Sequence, residues 1–569
     1  MSTETLGIEC RFVVNVPSKS SDKSDVHLIK EQVWKKLPTG ETVIEPNIRL
    51  IEDFKRPFWI TKPNKRNHTQ KKEEEAEENL FKIMTTESNL RFNLAKALGK
   101  PYSRESVKEL CSSPYIYGAD ISSSVLIKQR YLSKYPDLIS GYTVCTYDTE
   151  TDVVNGTEEV IINTAVFKDK IICVINKDFV KGFVTVEQLI RDRIKKYIQE
   201  YIDKRNYKTE IYIEEGSVNT IKKCFQRIHE LKPDFLAIWN MDFDIPKVLW
   251  NLEKYNVDPT DVLCDPSIPK EYRICKYKKG PTKKVTSSGK VQPIDRAMQW
   301  HTLQLTASFY VIDAMCAYRH LRNAEQERSS YSLNAILDEE LNISKLKFKE
   351  ADEYQELAWH VFMQNNYKLE YVVYNMFDSM SMLELEYKIN DLSFKIPTFS
   401  RSSEFSSFRS QPKRIMEAYF FNRLASGYVL GSVGSNRKVI EQDATDDIPE
   451  DDEEEEDNET LSLRNWIVTL PSHLMVLGLK IIEEDETMHT LIRGFTYDSD
   501  SVSAYPTVIS CMNVSKETTK TEIIDILGID EDIFRLQNMN FLQGQTNSIE
   551  YCTSMFNLPK PYELLRLLN

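Results

Sequence analysis

With 569 residues, of which 41% are apolar, 28% charged and 11% aromatic, the chain has the composition of a globular protein of several domains, which excludes disordered, collagenous and fibrous classes. The net charge of −14 sits largely in one place: eleven acidic and no basic residues lie between Asp446 and Glu459, leaving −3 for the rest, so the total does not exclude a nucleic-acid binder. No apolar run is long enough to span a bilayer and the opening Met1-Ser-Thr-Glu lacks a charged-then-apolar leader, which predicts neither membrane insertion nor secretion. The ten cysteines are scattered without a Cys-x-x-Cys pair, so the expectation is reduced thiols in a cytosol-like compartment and no locally built zinc or iron–sulfur site.

In chain order, residues 12–16 and 43–46 read as strand pieces between polar turns. Residues 62–78, basic first and acidic after, have the pattern of an exposed helix start, and 79–110 continue as helix until the turn residues Ser112 to Gly118. Strand runs at 142–147, 160–166 and 171–175 follow, then helical stretches at 185–202 and 217–231 and a strand at 235–239. A basic loop punctuated by Gly, Ser and Pro covers 276–290, a strand 309–312, and helices extend to about Leu392. Strands alternating with helices predict an α/β layer fold. The acidic run at 446–459 has almost nothing apolar to bury and reads as a solvated tether, with further strands near 474–483 and 491–497.

Three acidic stations stand within this framework. The strand ending at Tyr147 delivers Asp148-Thr-Glu150, and alternate residues of a strand share a face, so both carboxylates point the same way. Such a pair repels itself unless a cation lies between, and hard oxygen ligands suit Mg²⁺ or Mn²⁺; a solvated turn is the alternative. Asp244 follows the strand 235–239 at the start of a polar helix, where it either carries chemistry at the sheet edge or caps the helix, with Pro246 in the first turn and Asp242 as a nearby decoy. Tyr374 and Asp378, four apart, share one helix face, which suits a hydrolytic pair or an amphipathic core helix with a surface Asp.

Taken in order, Asp148-x-Glu150, Asn240-x-x-Phe243-Asp244 and Tyr374-x-x-x-Asp378 resemble the three exonuclease motifs of family B DNA polymerases, with two residues between Asn240 and Phe243 where many members have three. The resemblance implies a ribonuclease H-like 3′→5′ exonuclease domain of the DEDDy type. In it Asp148, Glu150, Asp244 and Asp378 bind two Mg²⁺ or Mn²⁺ ions and Tyr374 positions the attacking water. Ser330-Tyr-Ser-Leu-Asn334 followed by Lys345-Leu-Lys-Phe resembles the T-even-type phage polymerases, in which a lysine of this segment approaches the exonuclease site; Lys345 and Lys347 are the alternatives, beside an ordinary surface lysine. The basic loop lies where those enzymes carry a strand-separating hairpin, or is a solvated insertion.

Near the C-terminus, Asp500-Ser-Val-Ser503-Ala-Tyr505-Pro506 resembles the Asp-x-x-Ser-Leu-Tyr-Pro palm motif of the same family, with Ala504 in place of leucine. The resemblance implies that Asp500 is a catalytic, metal-holding palm carboxylate. It also implies that Tyr505, with Ser503 of the same motif, lies at the incoming dNTP, where the ring excludes a 2′-hydroxyl. The register to Tyr505-Pro506 selects Asp500 over Asp498. Neither the fingers pattern Lys-x-x-x-Asn-Ser-x-Tyr-Gly nor the second palm carboxylate in Asp-Thr-Asp occurs in these residues. One palm carboxylate cannot hold both metals of nucleotidyl transfer.

The expectation is therefore a multidomain α/β chain: an N-terminal domain at 1–135, the exonuclease domain at 136–393, a return segment at 394–470 containing an acidic disordered tether at 444–460, and a partial palm at 471–569. Its expected role is one subunit of a split viral family B DNA polymerase in the host cytoplasm or an intracellular viral replication compartment. The expected partners are primer–template DNA, single-stranded 3′ ends, dNTP, and a second chain bringing fingers, remaining palm and thumb, for which the amphipathic stretch 551–568 offers a surface. A truncated product, a free-standing DEDDy exonuclease with a vestigial palm, and a noncatalytic DNA-binding scaffold are the competing readings; a scaffold has no use for a complete set of carboxylates and Tyr374.

Overall fold

The computed structural model describes residues 4–17, 25–69, 71–285, 291–322, 328–408 and 410–434, together with 540–541 and 546–547. The chain divides into two compact units, 1–441 and 442–569. In the second, Asn540–Phe541 pairs antiparallel with Thr546–Asn547. The tether, the strands expected near 474–483 and 491–497, the palm residues Asp498, Asp500, Ser503 and Tyr505, and the stretch 551–568 lie outside the described residues.

The first unit opens with an antiparallel meander of β1 (Glu4–Val16), β2 (Val26–Lys36) and β3 (Thr42–Glu52). Next come β4 (Arg56–Thr61), β5 (Glu74–Ala76), β6 (Leu80–Thr85) and β7 (Ile116–Tyr117), with helices α1 (Leu90–Ala97), α2 (Val107–Cys111) and α3 (Ser123–Lys134). Two expectations fail in this region. Residues 62–78 form no helix start: single 3₁₀ turns at Pro63–Lys65 and Glu77–Asn79 flank β5, whose partner is the distant segment Tyr428–Leu430. Residues 80–85, expected as the start of a helix, are strand, paired residue for residue with β4, and Phe81 and Met84 stay exposed. In both cases a long-range backbone partner overrides the local pattern.

The centre of the unit is a six-stranded sheet. Its strands are β8 (Val144–Thr151), β9 (Val160–Phe167), β10 (Lys170–Asn176), β11 (Lys208–Glu214), β12 (Phe235–Ile238) and, after the short ladders β13 (Cys275–Lys278) with β16 (Thr302–Leu305) and β14 (Lys283–Val285) with β15 (Val291–Pro293), β17 (Tyr310–Asp313). The order is β11-β10-β9-β8-β12-β17; β9 runs antiparallel to both neighbours, whereas β11, β12 and β17 run parallel to the strands beside them. Within the basic loop of the sequence, residues 276–278 and 283–285 are thus strands of antiparallel ladders, and 286–290 lie outside the described residues. Strand β11 has no counterpart among the sequence expectations.

Helices cover both faces, which is why β9 and β10 are almost continuously apolar and buried. In chain order they are α4 (Val186–Tyr197), α5 (Gln199–Arg205), α6 (Gly216–Leu231), α7 (Met241–Lys254), α8 (Thr260–Leu263), α9 (Ala314–Leu321), α10 (Leu333–Leu341), α11 (Glu356–Asn366) and α12 (Lys368–Ile389). Alternation sorts the strand side chains: Ile171, Cys173 and Ile175 join Val144 in the core under α4 and α12, while Ile172 and Val174 join Cys145 and Tyr147 under α6 and α7. By the same parity Asp148 and Glu150 belong to the α12 face. After α13 (Ile396–Ser400), helix α14 (Gln411–Ala425) and β18 (Tyr428–Leu430) return to the first sheets, where Phe420, Val429 and Leu430 pack with Trp59 and Tyr117. Among the described residues the eight cysteines are free thiols, and no helix is long and apolar enough to cross a membrane.

Arg11 fastens β1 to the segment that enters β8. Almost fully buried, its guanidinium donates to Glu9 at 2.7 Å and to the carbonyls of Ser140 and Gly141 at 3.0 and 3.1 Å, and lies 4.0 Å from the Tyr142 ring centroid. Removing one partner of such a set strands the others, so Arg11→Met is expected to lower unfolding stability by about 3–5 kcal/mol, read from denaturant titration of tryptophan fluorescence.

Candidate functional site

The β8 strand runs through Thr151, so Asp148 and Glu150 are strand residues and not the start of a turn. The register with β9 slips between Glu150 and Thr151, a bulge at the point where the strand leaves the sheet. Asp244 arrives from the other face of the sheet. Helix α7 begins at Met241 with Asn240 in the capping position, so Asp244 is not its cap and Pro246 is not in its first turn but in its interior. Its Oδ1 instead accepts the Thr149 amide at 3.0 Å, which binds the start of α7 to the middle of β8. Asp242 turns away, accepting Tyr277 Oη at 3.0 Å and pairing with Lys279 at 2.9 Å.

Tyr374 and Asp378 stand one turn apart on α12, a helix buried from Leu369 to Glu386. Asp148, Glu150, Asp244, Tyr374 and Asp378 line one cleft of about 960 Å³, with Phe243 and Leu357 exposed on its lining and Arg328 to Leu333 also contributing to it. Lys345 enters the same cleft: its Nζ donates to Tyr374 Oη at 2.9 Å and to Asp378 Oδ2. Lys347 is exposed, so the choice between the two lysines falls on Lys345.

Each carboxylate is tied to a different donor. Asp148 Oδ2 accepts Asn375 Nδ2 at 2.6 Å, Glu150 Oε2 accepts the Tyr371 hydroxyl, Asp244 takes the Thr149 amide, and Asp378 takes Lys345. Drawn apart in this way, the carboxylates do not close on a point: among the described residues no three Asp, Glu, His or Cys side chains converge tightly enough to enclose an ion. The donor set nevertheless fits a hard cation. It consists of four carboxylates, and Asp378 Oδ1 is buried without a hydrogen-bond partner.

Desolvation raises every one of these acids. Asp148 lies well above the carboxylate range, first through desolvation, then through the charges of Asp244, Glu150 and Asp378. Glu150 is pushed up to about 7 by burial, against the Tyr371 hydrogen bond and with Asp378 adding to the rise. Burial also lifts Asp244, helped by Glu150 and Asp313, and it lifts Asp378 against the pull of Lys345. Burial alone would drive Lys345 down; Asp378 and Tyr374 overcome it and hold the ammonium charged. Tyr374 is raised by burial and by Asp378, so its phenol keeps its proton.

Sequence reasoning passed over Tyr371, Asn375 and His360, although the first two stand three residues from Tyr374 and Asp378 respectively on the same helix stripe. It also passed over Asp313 at the end of β17, which caps α9 through the Cys316 amide at 3.0 Å and is pushed up to about 7 by burial. No protein-family model and no curated protein matches this chain.

The raised acids oppose folding once ionised. Between the ordinary Glu value of 4.5 and about 7, folded Glu150 keeps a proton that the unfolded chain has released, so stability falls as pH rises through that window. Asp148→Asn/Glu150→Gln is therefore expected to stabilise the metal-free chain by about 2 kcal/mol at pH 8, with the gain fading below pH 5, measured by thermal unfolding in chelator.

Proposed function

We propose that this chain is a 3′→5′ exonuclease that trims single-stranded DNA ends, the proofreading part of a family B-type DNA polymerase. The observation that carries the reading is the meeting of Asp148, Glu150, Asp244, Asp378 and Tyr374, from three separate elements, on one cleft. The sheet supports it: an antiparallel β8-β9-β10 set with β12 and β17 added in parallel beside β8 is the order expected of a ribonuclease H-like domain. Phe243 and Leu357, exposed on the cleft lining, offer apolar surface to bases of any identity.

Asp148, Glu150, Asp244 and Asp378 are the residues that would hold Mg²⁺ or Mn²⁺. Bound there, two such ions supply positive charge to the attacking and leaving oxygens of the phosphodiester. The chain's own groups divide the remaining work. Tyr374, protonated, acts as a hydrogen-bonding group that orients water and not as a base. Lys345 fixes the phenol oxygen at 2.9 Å and brings a positive charge to the cleft beside Asp378. Water adds to phosphorus, the bond to the 3′ oxygen of the preceding nucleotide breaks, and that oxygen takes a proton as a nucleoside 5′-monophosphate departs.

The polymerase half of the proposal rests on the sequence motif alone. Asp500 would hold palm metal, Tyr505 and Ser503 would meet the incoming dNTP, and primer–template DNA would be extended only together with fingers, thumb and a second palm carboxylate, which these 569 residues do not supply.

The test is 3′-end degradation of a labelled single strand with Mg²⁺. The chain is expected to shorten it, Asp148→Ala/Glu150→Ala to abolish the loss, and Tyr374→Phe to slow it by about 10²-fold or more. A well-folded chain that leaves the strand intact in Mg²⁺ and in Mn²⁺ would support the scaffold reading instead.

A further inference from the structure

Tyr371, Tyr374, Asn375 and Asp378 occupy positions i, i+3, i+4 and i+7 of α12 and so form one stripe along the helix. Tyr374 and Asp378 line the cleft; Tyr371 and Asn375 stand behind it and donate to the two carboxylates of β8. Asn375 has its amide orientation imposed on it. Its oxygen accepts the hydroxyl of Thr164, the residue directly across the ladder from Asp148, so its nitrogen is the end that meets Asp148 Oδ2 at 2.6 Å. Tyr371 is constrained in the same way. Its hydroxyl proton goes to Glu150 Oε2, so its oxygen is the acceptor for His360 Nδ1, 2.7 Å away, and for Gln364 Nε2 at 3.3 Å. Gln364 in turn donates to Thr151 O at 2.9 Å and accepts the Val153 amide at 3.1 Å, anchoring the chain of bonds to the backbone just past Glu150.

Both strand carboxylates are therefore gripped by one oxygen. Among the described residues no donor reaches Asp148 Oδ1 or Glu150 Oε1. The grip is also uncharged: an amide and a phenol orient a carboxylate without offering the positive charge that would compete with a cation for it.

We propose that Asn375 and Tyr371, backed by Thr164 and by His360 with Gln364, are positioning residues that hold Asp148 and Glu150 with one oxygen each presented to a divalent cation. The inference rests on the reading of these two carboxylates as cation ligands. Partners that orient ligating groups in this way typically change metal affinity by about 10–100-fold when removed.

The experiment measures Mn²⁺ binding to the full chain, from loss of the free-ion electron paramagnetic resonance signal, beside the Mg²⁺ dependence of the exonuclease rate. Tyr371→Phe and Asn375→Leu are each expected to raise the Mn²⁺ dissociation constant and the half-saturating Mg²⁺ concentration by about tenfold or more, measured at a temperature where each variant is folded by circular dichroism. Thr164→Val, which removes the donor to the Asn375 oxygen, is expected to shift both in the same direction and serves if Asn375→Leu does not fold. Folded variants that match the wild type in Mn²⁺ affinity would overturn the positioning role, whether or not their rate falls, while leaving the exonuclease reading intact. A wild-type chain that neither binds Mn²⁺ nor degrades DNA would overturn both.

Discussion

Four carboxylates share one desolvated cleft, and their mutual repulsion is the constraint around which the first unit is organised. In a medium poorer in water than bulk solvent, like charges interact strongly and over several ångströms. The structure answers with separation and individual satisfaction. Asn375, Tyr371, the Thr149 amide and Lys345 each hold one acid, and only the last carries charge. A single lysine cannot neutralise four acids: desolvation raises Asp148, Glu150, Asp244 and Asp378, and the charges of neighbouring acids add to the rise of the first three. Protons relieve such a deficit of positive charge, and the divalent cation of the proposed function would relieve more of it than a single proton does.

The backbone sets the stage for this arrangement at two places. Strand parity sends Asp148 and Glu150 toward α12, and the register with β9 slips just after Glu150, one residue before β8 ends, so the carboxylates stand near the C-terminal end of an interior strand. The amide of Thr149, which points between them, recruits Asp244 from the opposite layer. One strand thus addresses both helical faces within three consecutive residues. The meander and the residue leading into β12 hold that strand in place from outside: Asp234 accepts the Thr143 amide and hydroxyl, both at 2.9 Å, and the Gln32 side-chain amide at 3.2 Å, next to the buried Arg11.

What the sequence made legible was local. The runs that became β8, β9, β10 and β12 are apolar because both of their faces are covered, and that covering leaves a mark in every residue. The parity of Asp148 with Glu150 and the one-turn spacing of Tyr374 with Asp378 are likewise written in neighbouring positions. What the sequence hid depends on partners far along the chain. Leu80 to Thr85 became strand because β4 was there to pair with it, and Glu74 to Ala76 because of Tyr428 to Leu430. The reach of Asp244 to Thr149 and the entry of Lys345, rather than Lys347, into the cleft are contacts across 95 and 33 residues that no window of sequence contains. Tyr371 and Asn375 were visible in the i, i+3, i+4, i+7 pattern, but their donors and acceptors on β8, β9 and α11 were not.

Helix α12 gives the proposal of a cation in this cleft its strongest physical support. A helix buried over 18 residues can satisfy its surroundings with apolar side chains alone, yet half of the buried residues of α12 carry polar groups. Polar groups inserted into such a helix cost free energy unless each finds a partner. Tyr371, Tyr374 and Asn375 all find one, and so does one oxygen of Asp378. The other, Asp378 Oδ1, is buried with none. Along the stripe the other polar groups are matched, down to the orientation of the Asn375 amide, and one oxygen of Asp378 stands without a donor beside three more carboxylates; the proposal of a cation in this cleft draws on that contrast.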